Sequence, residues 1–328
     1  MRRYLHSLKE QVMLNSPRHT RRDFARIAVA SFATATLGGC GRGVPPGQPE
    51  KVWGSLGAGR GQFSKPRAIA IDDKDQLYIV DMTARIQVFD ADGNFLRGWQ
   101  TPEHVNGRPT GLTFDTSEGH LLVADTHYNR VLTYTPTGEL LPDRTLGGTM
   151  GQGPGEFGLV ADVVRDATHN YYVSEYGEYD RVQKFGPDGK FLMQWGGHGS
   201  DPGQFMRPQH LELDADGLLW VADACNHRIQ VFDEAGKLIK MWGEQGTEPG
   251  QIYYPYCIAL DGKGHIYVCE FGNHRVQKFT LDGRSVGCWG AAGRKPGQLN
   301  TPWALVLDSV GRVHVLDSMN HRVQRFVM

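Results

Sequence analysis

A ten-residue motif that recurs along the chain constrains the fold more than any other feature of this sequence. Its clearest copy runs from Glu270 to Phe279, and close copies occupy Asp223–Phe232 and Asp317–Phe326. Three weaker copies occupy Asp81–Phe89, Asp125–Tyr134 and Glu175–Phe185. The acidic residues that lead the six copies are 44, 50, 48, 47 and 47 positions apart. A period of this size is typical of folds built from repeated supersecondary units.

Each unit contains four short apolar segments separated by turn residues. In the unit around Asp223 these segments are Leu211–Leu213, Leu219–Ala222, Arg228–Phe232 and Leu238–Trp242. Asp and Gly residues stand between them, which predicts β-strands joined by tight hairpins. One four-stranded antiparallel sheet cannot bury both of its faces, whereas copies packed in a ring can. The sequence therefore predicts an all-β fold, a six-bladed β-propeller with four strands in each blade.

The two ends of the chain complete the count of strands. The last unit stops at Met328 without a fourth segment, while Lys51–Gly54 matches the fourth segment Lys240–Gly243. We therefore expect the N-terminal strand to complete the last blade and close the ring, because closure removes exposed strand edges. A single propeller domain is predicted for residues 51–328.

The fifth unit shows which positions recur. They are Pro255–Asp261, Ile266–Glu270, Asn273–Gln277, Gly283 and Trp289–Gly290, with counterparts in the other blades. In this pattern about 280 of the 328 residues resemble the NHL repeat family of six-bladed propellers. The resemblance implies the fold and leaves the function open. Members of that family bind RNA, proteins or peptides, and one relative, the peptidyl-amidoglycolate lyase, is a metal-dependent enzyme.

The first 40 residues resemble a bacterial export signal. Arg21 and Arg22 precede an apolar run, residues 27–37, that is too short to span a bilayer, as in twin-arginine signals. The run ends in Leu37-Gly38-Gly39-Cys40, which resembles a lipoprotein lipobox with Cys40 as the acylated residue. Cleavage without lipidation is the alternative, and either Met1 or Met13 is the start.

This leader predicts a location for the protein. We expect an export signal at residues 1–40, a flexible tether rich in Gly and Pro at 41–50, and a lipid-anchored propeller that faces the periplasm or the cell exterior.

The charge distribution argues against nucleic acid as a partner. Residues 1–39 hold seven Lys and Arg and two Asp and Glu, which leaves 28 basic and 34 acidic residues in the remainder. A body with a net charge of −6 is poorly suited to nucleic acid or to an anionic bilayer surface. The membrane is therefore expected to be a partner only through the lipid anchor, and the protein is expected to be monomeric.

An acidic residue at the end of the second strand and an arginine at the start of the third recur in all six units. The pairs are Asp81/Arg85, Asp125/Arg130, Glu175/Arg181, Asp223/Arg228, Glu270/Arg275 and Asp317/Arg322. The two positions flank one hairpin loop, so we expect a salt bridge in each blade. An active site does not need six copies, so we interpret these pairs as structural. The recurring His227, His274 and His321 receive the same interpretation.

Residues that break the repeat are better candidates for function. Two positions after the residue that opens each unit, the chain carries Ala68, Gly111, Asp162, His210, Cys257 and Ala304. Asp162, His210 and Cys257 lie in consecutive blades, and their side chains are ligand types of Zn²⁺. A polar channel mouth filled with water fits the same residues, so no metal or other cofactor is predicted. Cys225 and Cys257, in adjacent blades, could also form a disulfide or bind a metal together.

A second unrepeated set is aromatic and falls on the same predicted face of the ring. Its members are Tyr176, Tyr179, Tyr253, Tyr254, Tyr256, Phe271 and Trp303, with Tyr128 further round. Packing between blades explains some of them. Exposed Tyr and Trp would suit a protein, peptide or carbohydrate partner, because they offer large contact area with a polar group.

The preferred hypothesis is a non-catalytic binding scaffold. Its site residues are predicted to be Asp162, Tyr176, Tyr179, His210, Tyr256, Cys257, Phe271 and Trp303. The alternative is a metal-dependent lyase or hydrolase with its site at the channel mouth, similar to the peptidyl-amidoglycolate lyase. No GxSxG, HExxH or P-loop motif is present in the sequence, so no catalytic residue is predicted.

Overall fold

Each sequence repeat folds as one antiparallel meander, because its four apolar segments are joined by turns of Asp and Gly. The computed structural model describes residues 47–328, and this part of the chain forms six four-stranded sheets. The predicted six-bladed propeller is therefore confirmed. The predicted export signal, with Cys40, lies outside the described residues, as does most of the tether. Among residues 47–328, helices of the length and apolarity needed to cross a membrane are absent.

The blades follow one another along the chain. Blade 1 contains β2 (Ala68–Ile71), β3 (Leu77–Val80), β4 (Arg85–Phe89) and β5 (Phe95–Gln100), and blade 2 contains β6 (Gly111–Asp115), β7 (His120–Asp125), β8 (Arg130–Tyr134) and β9 (Leu146–Gly147). Blade 3 contains β10 (Leu159–Arg165), β11 (Tyr171–Tyr176), β12 (Arg181–Phe185) and β13 (Phe191–Gly196), and blade 4 contains β14 (Pro208–Leu213), β15 (Leu219–Asp223), β16 (Arg228–Phe232) and β17 (Leu238–Trp242). Blade 5 contains β18 (Pro255–Leu260), β19 (His265–Glu270), β20 (Arg275–Thr280) and β21 (Ser285–Trp289), and blade 6 contains β22 (Leu305–Leu307), β23 (Val313–Asp317), β24 (Arg322–Phe326) and β1 (Lys51–Trp53). Single 3₁₀ turns occupy Thr126–Tyr128, Pro142–Arg144, Ala224–Asn226 and Ser318–Asn320.

The ring closes through its N-terminal strand, as the sequence predicts. Strand β1 pairs antiparallel with β24, and Lys51 lies opposite Arg325. The backbone N–H of Glu50 extends the ladder by donating to the carbonyl oxygen of Arg325 at 2.7 Å. Blade 6 is thus assembled from both ends of the described chain, which leaves no unpaired outer edge at the junction.

Tryptophans of the outer strands pack against neighbouring blades. A Cβ at Gly283 of blade 5 would lie 2.7 Å from a ring carbon of Trp242 in blade 4, and Gly283 has a φ of +89°. Glycine is needed there both for the close approach and for the left-handed backbone. The same arrangement occurs for Trp53 with Gly93, Trp99 with Gly138 and Trp195 with Gly236. These tryptophans therefore bury blade–blade interfaces.

The recurring histidines connect adjacent blades. The Nδ1 of His227 accepts the backbone N–H of Tyr254 at 3.1 Å, and His274 accepts that of Thr301 at 2.9 Å. His321 accepts the N–H of Lys65 at 3.0 Å, which joins blade 6 to blade 1. All three histidines have left-handed φ values of 54–58°. These contacts give the histidines a structural role between blades.

Candidate functional site at the channel mouth

All six predicted acid–arginine pairs form salt bridges. The distances are 3.1 Å for Arg85–Asp81, 2.9 Å for Arg130–Asp125, 2.6 Å for Arg181–Glu175, and 2.7 Å for Arg228–Asp223, Arg275–Glu270 and Arg322–Asp317. The acidic side chains are almost completely buried. Burial of this kind requires a partner, because an unpaired buried carboxylate is strongly destabilising.

Every pair except Asp125/Arg130 of blade 2 also holds the backbone of the loop that enters its blade. In blade 5 the terminal nitrogens of Arg275 donate to the carbonyl oxygens of Thr247, Glu248 and Gln251 at 2.7, 3.1 and 2.8 Å. The carboxylate of Glu270 accepts the backbone N–H of Tyr253 at 3.1 Å. These arginines therefore have their donors committed to the fold.

The structure brings together two of the three predicted metal ligands. The Nε2 of His210 lies 3.6 Å from Oδ2 of Asp162, which also accepts the backbone N–H of Leu211 at 3.0 Å. Asp162 is completely buried, and burial raises its pKa to about 8. Burial lowers the pKa of His210 to about 4. Burial thus disfavours the charged form of both side chains.

The third predicted ligand points elsewhere. The Sγ of Cys257 accepts the backbone N–H of Leu305 in blade 6 at 3.4 Å, and Cys257 is 1% exposed. Its thiol thus faces blade 6, whereas Cys225 lies in blade 4 on the other side of blade 5, and both cysteines are free thiols. Among residues 47–328 no group of three His, Cys, Asp or Glu side chains is arranged to hold a metal. Asp162, His210 and Cys257 therefore do not fit a shared metal ion.

A cavity of about 590 Å³ lies inside the ring, at the C-terminal ends of the first strands of the blades. First strands of all six blades line it, together with the hairpins that follow them, and both His210 and Glu212 face it. Burial raises the pKa of Glu212 to about 7. At the cavity rim Arg165, where other blades have an apolar residue, donates to Asp115 of blade 2 at 2.7 Å. The departure from the repeat at Arg165 thus forms a salt bridge between blades.

Three of the predicted aromatic residues form one cluster at the opposite ends of the first strands. Tyr256 stacks on Phe271 with ring centroids 4.4 Å apart. Trp303 meets these rings edge-on at 5.1 and 5.7 Å. Tyr256 is 8% exposed, while Phe271 and Trp303 are only partly buried. Tyr256 therefore forms the floor of the cluster and the other two rings form its wall.

Two arginines lie across this aromatic surface. The guanidinium carbon of Arg67 is 4.8 Å from the ring centroid of Trp303. That of Arg207 lies between two rings, 4.8 Å from Tyr176 and 5.1 Å from Tyr256. These distances are those of cation–π contacts.

A third arginine completes the group. Burial lowers the pKa of Arg67, and the charges of Arg207 and Arg108 lower it further, so the three guanidiniums share one neighbourhood. The mouth cluster consists of Arg67, Arg108, Tyr176, Arg207, Tyr256, Phe271 and Trp303. These residues come from all six blades, and side chains from every blade of a ring approach one another only near its axis. The cluster therefore marks the mouth of the channel.

The remaining predicted aromatics have other contacts. Tyr179 lies 5.6 Å from the guanidinium of Arg181, the framework arginine of its own blade. Tyr253 and Tyr254 pack around the imidazole of His227 at 5.0 and 4.6 Å. Tyr179 is thus outside the mouth cluster, and the other two belong to a blade–blade contact.

The sequence-based prediction includes the aromatic residues of the mouth cluster and Cys257, but not the three arginines. In blades 3, 4 and 5 the first strand has a register shift at the second residue of the unit, for example between Pro255 and Cys257. The bulge turns Tyr256 toward the mouth and Cys257 into the interface. A sequence signal for the arginines exists, because Arg67 directly follows the proline that opens its unit and Arg108 and Arg207 directly precede theirs.

Comparisons with known proteins agree with this architecture. The NHL repeat family model matches residues 205–232 and 253–279. Mouse NHL repeat-containing protein 3 is 32% identical over 171 residues, which cover 49% of this chain and 49% of that protein. Mouse peptidyl-glycine alpha-amidating monooxygenase is 36% identical over 128 residues, 37% of this chain and 13% of the enzyme. The chain thus spans about half the length of the first relative and a small part of the second.

Solved structures show the same fold at low sequence identity. A streptogramin B lyase superposes with a TM-score of 0.60 at 14% identity and covers 84% of this chain and 96% of its own. The virginiamycin B lyase from Staphylococcus aureus gives a TM-score of 0.55 at 13% identity, with 81% and 95% covered. The chain thus forms a six-bladed β-propeller in which two of the units, at residues 205–232 and 253–279, match the NHL repeat.

Proposed function

We propose that this propeller is a binding scaffold that captures a ligand or partner at the mouth cluster. The observation that carries the proposal is the convergence of unrepeated side chains from all six blades. The framework needs the same residues in every blade, and it is complete without Arg67, Arg207 and Trp303. Aromatic rings and arginines are also the residues enriched where protein surfaces bind strongly.

We propose further that the protein is exported and anchored through Cys40. The support is the leader sequence, with Arg21 and Arg22 before an apolar run that ends at Cys40. Replacing Cys40 with Ala is expected to move the protein from the membrane fraction to the soluble extracytoplasmic fraction. A variant that stays with the membrane would contradict lipidation at this residue.

Partner capture tests the scaffold. The wild type, Trp303→Ala and Leu192→Ala are compared by crosslinking in cells followed by quantitative mass spectrometry. Leu192 is 53% exposed on an outer strand and serves as the matched apolar control. Species captured by the wild type should be retained by Leu192→Ala and lost from Trp303→Ala, with all three proteins melting at similar temperatures. Equal capture by all three proteins would show that binding does not use this face.

A metal-dependent lyase or hydrolase is the second proposal, and the similarity to the monooxygenase segment favours it. The positions of Asp162 and His210 give it only two neighbouring ligands, since the thiol of Cys257 points into blade 6. Elemental analysis of protein purified without chelator tests the idea. A stoichiometric metal that is lost in His210→Ala would support it, and sub-stoichiometric metal in both proteins would remove it.

A further inference from the structure

The three arginines of the mouth cluster carry positive charge that no acidic side chain of the described residues neutralises in a salt bridge. None of Arg67, Arg108 and Arg207 forms a salt bridge with any acidic residue between positions 47 and 328. Asp180 accepts the backbone N–H of Arg207 at 2.9 Å and forms no salt bridge with its guanidinium. The framework arginines, by contrast, each have a carboxylate within 3.1 Å.

Most side-chain hydrogen-bond donors of two of these arginines also lack an acceptor in the described part of the chain. The side chain of Arg67 has no acceptor within the described part of the chain. The Nε of Arg207 donates to Oε1 of Gln209 at 2.7 Å, and its terminal nitrogens have no acceptor there. An arginine carries five N–H donors in a fixed plane. The hydroxyl groups of Tyr176 and Tyr256 likewise lack a partner among residues 47–328.

Arg108 differs from the other two. Its Nε donates to the carbonyl oxygen of Met82 at 2.6 Å, and one terminal nitrogen donates to the carbonyl oxygen of Gly107 at 2.7 Å. It therefore contributes positive charge to the mouth while its donors are largely used. The free donors belong to Arg67 and Arg207, which are both partly buried.

We propose that the mouth cluster binds a compact oxyanion, a carboxylate or a phosphate group, carried by a ligand whose apolar part packs against Phe271 and Trp303. The inference rests on the proposed binding function and specifies the chemistry of what is bound. Planar guanidiniums bind both kinds of oxyanion in a bidentate manner. The oxyanion supplies the negative charge and the acceptors that the described chain lacks at this place.

The aromatic rings have two roles in this site. Tyr176 and Tyr256 hold the guanidinium of Arg207 between them, and Trp303 supports that of Arg67, so both groups are oriented before the ligand arrives. Such preorganisation lowers the entropy lost on binding. The exposed parts of Phe271 and Trp303 remain available for the apolar part of the ligand. A neutral sugar would cover the rings and leave the guanidiniums unpaired, which favours an anion.

Small aromatic probes with different head groups test the inference. We would titrate the chain with N-acetylphenylalanine, its neutral amide and phenyl phosphate, by calorimetry at low salt. The carboxylate probe should bind at least tenfold more tightly than the amide, and the affinity should fall as salt is added, because screening weakens charge pairing. Tighter binding of phenyl phosphate than of the carboxylate would identify a phosphate ester as the natural group, and the reverse order would identify a carboxylate.

Two variants locate the site. Arg67→Gln with Arg207→Gln should abolish the preference for the charged probe, whereas Arg284→Gln, at an exposed hairpin position, should keep it. Equal affinity of the wild type for the acid and the amide, or an undiminished preference in the double variant, would overturn the inference. Partner capture that depends on Trp303 but not on Arg67 and Arg207 would leave the scaffold proposal standing alone. Anion binding without Trp303-dependent capture would support the oxyanion site and contradict the capture of a partner at this face.

Discussion

Two groups of arginines in this propeller have the same side chain and opposite surroundings. Arg275 and its five equivalents sit beside buried carboxylates, and all except Arg130 donate to carbonyl oxygens of the loops that enter the blades. Arg67 and Arg207 lie on aromatic rings at the channel mouth and have donors without acceptors in the part of the chain that the structure describes. The first group is repeated around the ring, and the second is not.

The comparison of these two groups of arginines shows how structural and functional residues can be separated in a repeat protein. A residue type alone is uninformative, because arginine is the commonest choice for a carboxylate partner and also for an anionic ligand. Two observations are useful: whether the arginine recurs in every blade, and whether its hydrogen-bond donors have acceptors in the protein. A repeated and satisfied arginine maintains the blade, whereas an unrepeated arginine with free donors is available for binding.

Breaking a framework pair should have the largest effect. Glu270→Ala leaves the buried guanidinium of Arg275 without its carboxylate, so we expect a loss of about 3–5 kcal/mol in the free energy of unfolding. Denaturant titration followed by circular dichroism measures it. Glu244→Ala removes an exposed carboxylate that forms no salt bridge in the described residues, and should stay within about 0.5 kcal/mol of the wild type. Similar losses in both variants would contradict the framework role.

The histidine contacts between blades should have a smaller, pH-dependent effect. Burial lowers the pKa values of His227, His274 and His321 below that of a free imidazole. The unfolded chain therefore takes up protons first, and the contribution of these contacts is full above about pH 6.5 and declines as the pH falls below it. Protonation also removes Nδ1 as an acceptor.

The comparison of His274→Asn with the wild type isolates this effect. Asn accepts through its side-chain oxygen and tolerates the left-handed backbone, as Asn129 does at the equivalent position of blade 2. The stability difference between the two proteins should change in favour of the variant as the pH falls from 7.5 to 5.5. Measuring the difference cancels Asp162 and Glu212, whose raised pKa values act in the opposite direction. A difference that is constant with pH would rule out titration of this contact.

Removing the mouth arginines should change stability least. In Arg67→Gln with Arg207→Gln, the cation–π contacts are lost, but the mutual repulsion of the guanidiniums is relieved as well. We expect a change below about 1 kcal/mol in the free energy of unfolding. A loss as large as that of Glu270→Ala would show that these arginines belong to the framework, and the distinction between the two groups would then fail.

The fold could be predicted from the sequence because it depends on features that recur six times. Three of these features indicate backbone geometry: the acid–arginine pairs, the turn glycines and the match of Lys51–Gly54 to an outer strand. An error in the interpretation of one repeat is corrected by the other repeats. The mouth cluster depends on single residues. A one-residue change of register moves a side chain to the opposite face of a strand, so the bulge at Tyr256 turns Cys257 away from the mouth, where the sequence predicts it together with Tyr256.

The contacts across the mouth could not be predicted from the sequence for a second reason. Arg67 meets Trp303 because the ring brings the first and last blades together, although the two residues are far apart in the chain. Only the closed geometry sets the distance and the tilt between these blades. The sequence repeats predict closure, and they leave the side-chain arrangement at the axis undetermined.

The pairing of β1 with β24 has a consequence for the order of events during synthesis. Lys51 leaves the ribosome long before Arg325, its partner in the ladder. Until then blade 6 cannot be completed, and the growing chain is an open arc with unpaired strand edges at both ends. Long-range pairings of this kind are slow to form. The mouth cluster, which joins residues of blade 1 to residues of blade 6, therefore forms only after blade 6 has been synthesised, so that a chain truncated before blade 6 would have blades but no complete binding site.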